Sequence, residues 1–158
     1  YFPKDFNRDI QVVVTVLSLG DYDPDMVALN ATTLALELSH IPWNGSVGGV
    51  RVIKDKEGNQ IISPTYTELS NNNLFDAVVC SRNGRVCMLE VEASESSESE
   101  LESSITDGVS AVSELTDFYT DIISKHGNDK LDHSEKENRL QETFTNSVES
   151  LEEKIYQK

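Results

Sequence analysis

The sequence predicts an α+β fold: a β-α-β sandwich followed by an amphipathic helical hairpin. Three observations predict it. A β-branched apolar run precedes a capped helical pattern; short strand-like runs separated by turn signals follow; and the last third carries apolar residues at spacings of three and four. The order strand, helix, antiparallel strands puts helices against one sheet.

Ile10 to Leu17, between Asn7-Arg8-Asp9 and Gly20-Asp21, reads as a buried strand. A helix start follows, because Asp23 can cap, Pro24 suits a first position whose N–H has no partner, and Asp25 favours the positive end of the helix dipole. Met26, Leu29, Thr33, Leu34, Leu36 and Leu38 form its apolar face, and the helix should reach His40, before Ile41-Pro42. Val47 to Ile53, the polar loop Asp55 to Asn59 and Gln60-Ile61-Ile62 read as a hairpin, in which Gly48 and Gly49 allow close backbone approach. After Pro64 comes a polar stretch, Thr67 to Asn73. Leu74 to Ser81 and Arg85 to Val91 then flank an Asn83-Gly84 turn, with Val86, Met88 and Val91 expected to face inward.

The composition changes at Glu92. Leu101, Ile105, Val109, Val112, Leu115, Tyr119 and Ile122 mark a long amphipathic helix ending near His126-Gly127. Asn128 to Ser134 reads as a linker, and Leu140, Phe144, Val148, Leu151 and Ile155 mark a second helix. The two helices should form an antiparallel hairpin or dock on something outside the chain. The expected division is a core over residues 1–105 and a helical segment over 106–158.

The formal charge is −15, from 28 acidic and 13 basic residues, whereas nucleic-acid binders carry basic surface to replace phosphate counterions. The chain alone should not grip RNA. Its apolar runs, such as Val12-Val13-Val14, are too short to span a bilayer, and no targeting segment can be read at Tyr1-Phe2-Pro3. Counting outward from the Asn83-Gly84 turn sets Cys80 opposite Cys87; a disulfide or two free thiols in a reducing compartment both fit, and the thiols are preferred. Asn30-Ala31-Thr32 and Asn44-Gly45-Ser46 spell glycosylation sequons, read as chance matches. His40, His126 and His133 are scattered, and neither a metal-binding Cys pair nor a phosphate-cradling Gly loop occurs. Trp43 reads as a packing residue at a helix-to-strand corner rather than a base-stacking platform. Ser94 to Ser104, with serines followed by acids, suits a phosphorylation patch.

The residues also carry a resemblance. Phe2-Pro3-x-x-Phe6 with Asp9-Ile10-Gln11-Val12-Val13-x-Thr15-Val16-Leu17-Ser18, then Asp23-Pro24-Asp25 and Asn30-Ala31-Thr32-Thr33-Leu34-Ala35-Leu36, resemble the first core domain of polynucleotide phosphorylases. It continues through Ile41-Pro42-Trp43-Asn44-Gly45-Ser46-Val47-Gly48-Gly49-Val50-Arg51-Val52, Ser63-Pro64-Thr65 and Glu68-Leu69, and closes on Leu74-Phe75-Asp76-Ala77-Val78-Val79 and Met88-Leu89-Glu90-Val91-Glu92-Ala93. The resemblance implies the second half of a first RNase PH-like core plus the start of an all-helical domain. At Ser94 to Ser104 it implies an acidic, serine-containing helix start, which is preferred to the phosphorylation patch. For the parent protein it implies 3′-to-5′ phosphorolytic RNA degradation with Mg2+ and inorganic phosphate, a homotrimeric ring, no membrane, and RNA held by other segments. It places such a parent in the cytoplasm of a bacterium, or in a mitochondrion or plastid.

The same resemblance implies that chemistry is missing here, so no catalytic residue, metal site or cofactor is expected in this chain. The family's catalytic core holds phosphate with a serine run at a helix start. Tyr22-Asp23-Pro24 stand there instead. That core holds its metal with two acids six apart and a lysine; Asp76 matches one acid, while Ser70 and Val78 replace the other two. Asp76 is thus a degenerate remnant. The only candidates for an RNA contact are Arg82 and Arg85, flanking the turn. A rival reading is a non-catalytic RNase PH-like ring subunit or scaffold of an exosome-like assembly, and a third is an acidic adaptor with a helical tail.

Overall fold

The computed structural model describes residues 1–132, apart from 5, 7, 72 and 95, together with residues 142–148. Its elements are α1 (Pro24–Leu38), β1 (Gly48–Lys54), β2 (Gln60–Ile62), α2 (Tyr66–Leu69), β3 (Phe75–Arg82), β4 (Arg85–Ala93) and α3 (Glu98–His126). The strands form one antiparallel sheet in the order β2-β1-β3-β4.

Alternation along the strands sorts their side chains onto two covered faces. On one, Val50 and Val52 of β1 and Phe75, Ala77 and Val79 of β3 pack under Leu101, Ile105, Val109 and Val112 of α3. On the other, Val78 and Cys80 meet Met26 and Leu29 of α1 and Trp43. The two expected glycines sit between the layers. A Cβ on Gly48 would lie 2.8 Å from Val112 Cγ1, and one on Gly49 would lie 2.9 Å from Leu29 Cδ2, so bare backbone lets both helices approach β1. Asn30 fastens α1 by accepting from the Gly49 N–H at 2.9 Å and donating to its carbonyl at 2.8 Å. That amide is a structural one, whatever sequon it spells.

Local signals explain the ends of the helices. Asp23 caps α1, its Oδ1 accepting from the Asp25 N–H at 3.0 Å, with Pro24 behind it as expected. The helix stops at Leu38, two residues short of His40, where Ser39 turns to extended backbone, and Lys130 Nζ donates to the carbonyls of Leu36, Glu37 and Ser39 at 2.8, 2.9 and 2.9 Å. Asn128 adds a side-chain bond to Leu38 O at 2.8 Å. The start of the expected linker is therefore docked on the C-terminus of α1. Thr65 and Glu68 form a capping box that starts α2, which runs into the polar stretch Thr67 to Asn73. Ser97 and Glu100 form another at the start of α3.

Four expectations need correction. Residues 10–17 belong to no strand, and Val13 and Leu17 are 73% and 93% exposed, because no neighbour pairs with them among the described residues. All nine residues of β4 are exposed, Val86, Met88 and Val91 included, since it is an edge strand beyond the reach of both helices. Cys80 pairs with Met88 and not Cys87, because the register shifts between Cys80 and Ser81; Cys80 is buried, Cys87 exposed, and both are free. Finally, α3 docks on this chain's own sheet rather than on something outside the chain, with Ser104, Gly108, Val112 and Tyr119 all buried. Residues 142–148 are helical, with Phe144 71% exposed; Leu140, Leu151 and Ile155 lie outside the described residues.

Candidate functional site

Two places on the sheet hold the residues singled out by the sequence, one at each end of β3. At the first, β1 and β3 run side by side with Arg51 opposite Val78 and Asp76 opposite Ile53. Arg51 and Asp76 both point to the α1 side. The Arg51 guanidinium donates Nε and Nη2 to the two carboxylate oxygens of Asp76, at 2.7 and 2.9 Å. Its third nitrogen, Nη1, reaches Oδ2 of the helix-capping Asp23 at 2.9 Å.

One guanidinium therefore joins the Tyr22-Asp23-Pro24 stretch, which stands where the family's serine run would be, to the degenerate remnant Asp76. The hydrogen bonds to Asp76 first, and to Asp23 second, hold Arg51 charged far above the ordinary arginine range. This bridge decides what the arrangement can do. Both oxygens of Asp76 and both of Asp23 already accept hydrogen bonds, and Val78 brings a buried methyl surface instead of an amine. Ser70 is not part of the group; it ends α2 and donates to Thr67 O at 2.8 Å. Such a donor set does not fit a divalent cation or an attacking phosphate. Among the described residues, no three His, Cys, Asp or Glu side chains gather as a metal would need.

Beside the bridge runs a mainly apolar groove of about 670 Å³ between α1 and α3, lined by Asp23, Val27, Arg51, Leu115, Phe118 and Tyr119 among others. Tyr119 is 3% exposed and its hydroxyl has no hydrogen-bond partner. Burial pushes its phenol up to about 12.

At the other end of β3, the turn brings Arg82 and Arg85 into direct register. Arg82 lies over the ring of Tyr1, with 5.1 Å from guanidinium carbon to ring centre. Trp43 packs edge-on with Tyr1 and Phe2 at 5.6 and 5.0 Å, at the helix-to-strand corner where packing was expected. Of the histidines, His40 Nδ1 lies 2.9 Å from Asp129 O, His126 closes α3, and His133 lies outside the described residues. The sequence reading missed the role of Arg51. The available signal was a charged residue inside the apolar run Val50-Arg51-Val52, which needs a partner when its strand is covered.

No family model matches the chain. Among curated proteins, the polyribonucleotide nucleotidyltransferase of Thermotoga neapolitana is 37% identical over 159 residues, spanning 98% of this chain and 22% of the relative. That of Thermosipho melanesiensis is 37% identical over 135 residues, 85% of this chain and 19% of its own. This chain is homologous to one segment of the polyribonucleotide nucleotidyltransferases. It spans about a fifth of the length of these relatives. The polyribonucleotide nucleotidyltransferase of Spiroplasma citri is 34% identical across 83% of the chain. Among solved structures, rice (Oryza sativa) Rrp46 superposes with a TM-score of 0.58 over 66% of this chain and 49% of its own, at 21% identity. That likeness shows the fold, which is of the RNase PH-like α+β kind. No helix among the described residues is long and apolar enough to cross a membrane.

Proposed function

We propose that the chain is the non-catalytic second half of the first RNase PH-like core of a 3′-to-5′ phosphorolytic exoribonuclease, together with the start of its helical segment. The observation that carries the non-catalytic reading is the Arg51 bridge. A guanidinium committed to Asp76 and Asp23 satisfies both carboxylates with an internal cation and leaves neither free for a metal, while Asp23 repels phosphate, so the position serves packing. Mg2+ and inorganic phosphate then act in a second core of the parent polypeptide, which assembles as a homotrimeric ring and holds RNA through other segments. The source organisms of the relatives favour a bacterial cytoplasm over an organelle.

Two exposed apolar surfaces support the half-domain reading. Val12, Val14 and Val16 are 51%, 51% and 58% exposed, and the edge strand β4 separately leaves Val86, Met88, Leu89 and Val91 uncovered. Exposed apolar surface of this kind marks an interface. The first half of the same core is the piece this reading supplies.

The test is direct. The chain incubated with poly(A), inorganic phosphate and Mg2+ should release no ADP. Metal-dependent release that vanishes on Asp76→Ala would overturn the proposal.

A further inference from the structure

The end of the β3–β4 hairpin sets two arginines side by side. Asn83 and Gly84 have φ of 50° and 70°, the left-handed values that a tight two-residue hairpin turn needs. That turn makes Arg82 and Arg85 facing partners. Facing like charges repel, and a chain with 28 acids has ample means to neutralise them. It does so elsewhere: Arg51, Lys54 and Lys125 each have a carboxylate within 3 Å. Neither Arg82 nor Arg85 has a carboxylate within 4.0 Å among the described residues.

Arg82 is also held in place. Its guanidinium lies on Tyr1, which rests edge-on against Trp43, and its Nε is buried with no hydrogen-bond partner among the described residues. Gly45, at φ 137°, makes room for it: a Cβ there would stand 2.3 Å from Arg82 Nε. The head group is thus oriented before any ligand arrives. Arg82, Asn83, Arg85 and Cys87, with Tyr1 and Val86, line one open concavity of about 540 Å³ that is half polar and half apolar.

We propose that this concavity binds the phosphodiester backbone of single-stranded RNA. Guanidinium forks match phosphate oxygens in pairs, and the exposed Arg85 guanidinium beside the fixed Arg82 also offers a planar group on which a base can stack. An acidic peptide would supply the charge but no base. The inference rests on the RNA-degrading reading for its choice of ligand. The net charge of −15 keeps the contact weak, at about 10⁻⁴ M in physiological salt.

The experiment is fluorescence anisotropy of fluorescein-labelled oligoadenylate with the whole chain across a salt series, with labelled oligoglutamate as the second probe. Arg85→Ala, at an exposed position, should weaken oligoadenylate binding about threefold and Arg82→Ala/Arg85→Ala about tenfold, with the log–log salt slope shallower by roughly one. Gly45→Ala should weaken it as well, by displacing Arg82 without changing any charge. Lys56→Ala, on the exposed β1–β2 loop, should leave it unchanged. Far-ultraviolet circular dichroism checks that each variant is folded, and Arg85→Ala alone carries the test if Arg82 variants unfold. No oligoadenylate binding at millimolar chain, binding indifferent to Arg85→Ala, or equal arginine-dependent binding of oligoglutamate would each overturn the proposal. None of these outcomes bears on the phosphorolysis assay, which does not depend on the arginines.

Discussion

Arg51 grips Asp76 with two parallel N–H donors, at 2.7 and 2.9 Å, across the pairing of β1 with β3. Both side chains are 25% exposed, so the pair lies between a surface ion pair of little value and a buried one that is costly to break. A double-mutant cycle with Arg51→Met and Asp76→Ala should give a coupling of about 1.5 kcal/mol. Additive changes in urea-denaturation free energy would show that the bridge contributes nothing beyond its separate side chains.

Asp23 does two jobs, capping α1 through Oδ1 and receiving Arg51 on Oδ2. Asp23→Ala should cost about 2 kcal/mol, the sum of a lost cap and a lost charged hydrogen bond. Asp23→Asn keeps a capping oxygen and should cost about half as much. Equal losses for the two variants would mean that the cap carries no weight.

Gly108 sets how closely α3 lies on the sheet. A Cβ there would come 3.1 Å from Val79 Cγ2 and 3.2 Å from Val52 Cγ2, both on fully buried β-branched residues with little room to turn. Alanine improves helix propensity by about 1 kcal/mol, whereas overpacking costs about 1–3 kcal/mol. The second effect should win, so Gly108→Ala should lower the denaturation midpoint. A raised midpoint would place α3 farther from the strands.

The Tyr119 hydroxyl is buried and unpaired, so Tyr119→Phe should stabilise the fold by about 1 kcal/mol at neutral pH. The effect has a defined pH dependence. The phenol titrates near 10.0 when solvated and at about 12 in the fold, so below pH 10 both states hold the proton. Between pH 10 and 12 the unfolded chain loses it first, and the folded state loses that share of its stability. The gap between Tyr119→Phe and the natural chain should therefore widen over that interval. A constant gap in stability from pH 8 to 12 would show that the phenol is solvated in the folded state.

What the sequence determined by itself was local. Asp23-Pro24 announces the start of α1, Asn83-Gly84 forces the β3–β4 turn, and the three-and-four spacing from Leu101 to Ile122 marks the helix that becomes α3. Each depends on the φ preference, capping chemistry or period of a few neighbouring residues. The capping box Thr65-x-x-Glu68 was equally readable and marks α2. The motif resemblance, a matter of residue order alone, pointed to the same family as the homologous segments do.

Only the tertiary structure decided which apolar runs are covered and where the charges go. Period and β-branching show that residues 10–17 and β4 favour a buried strand, but burial depends on a neighbour, and neither run has one here on its outer side. A single shift of register at Cys80/Ser81 sets Cys80 against Met88, and such a shift leaves no mark in composition. Asp23, Arg51 and Asp76 are separated by 28 and 25 residues in the chain, and they meet because a helix cap and two antiparallel strands converge at one point. Ion pairing falls off with distance in space, and distance in space is what folding creates from positions far apart in sequence.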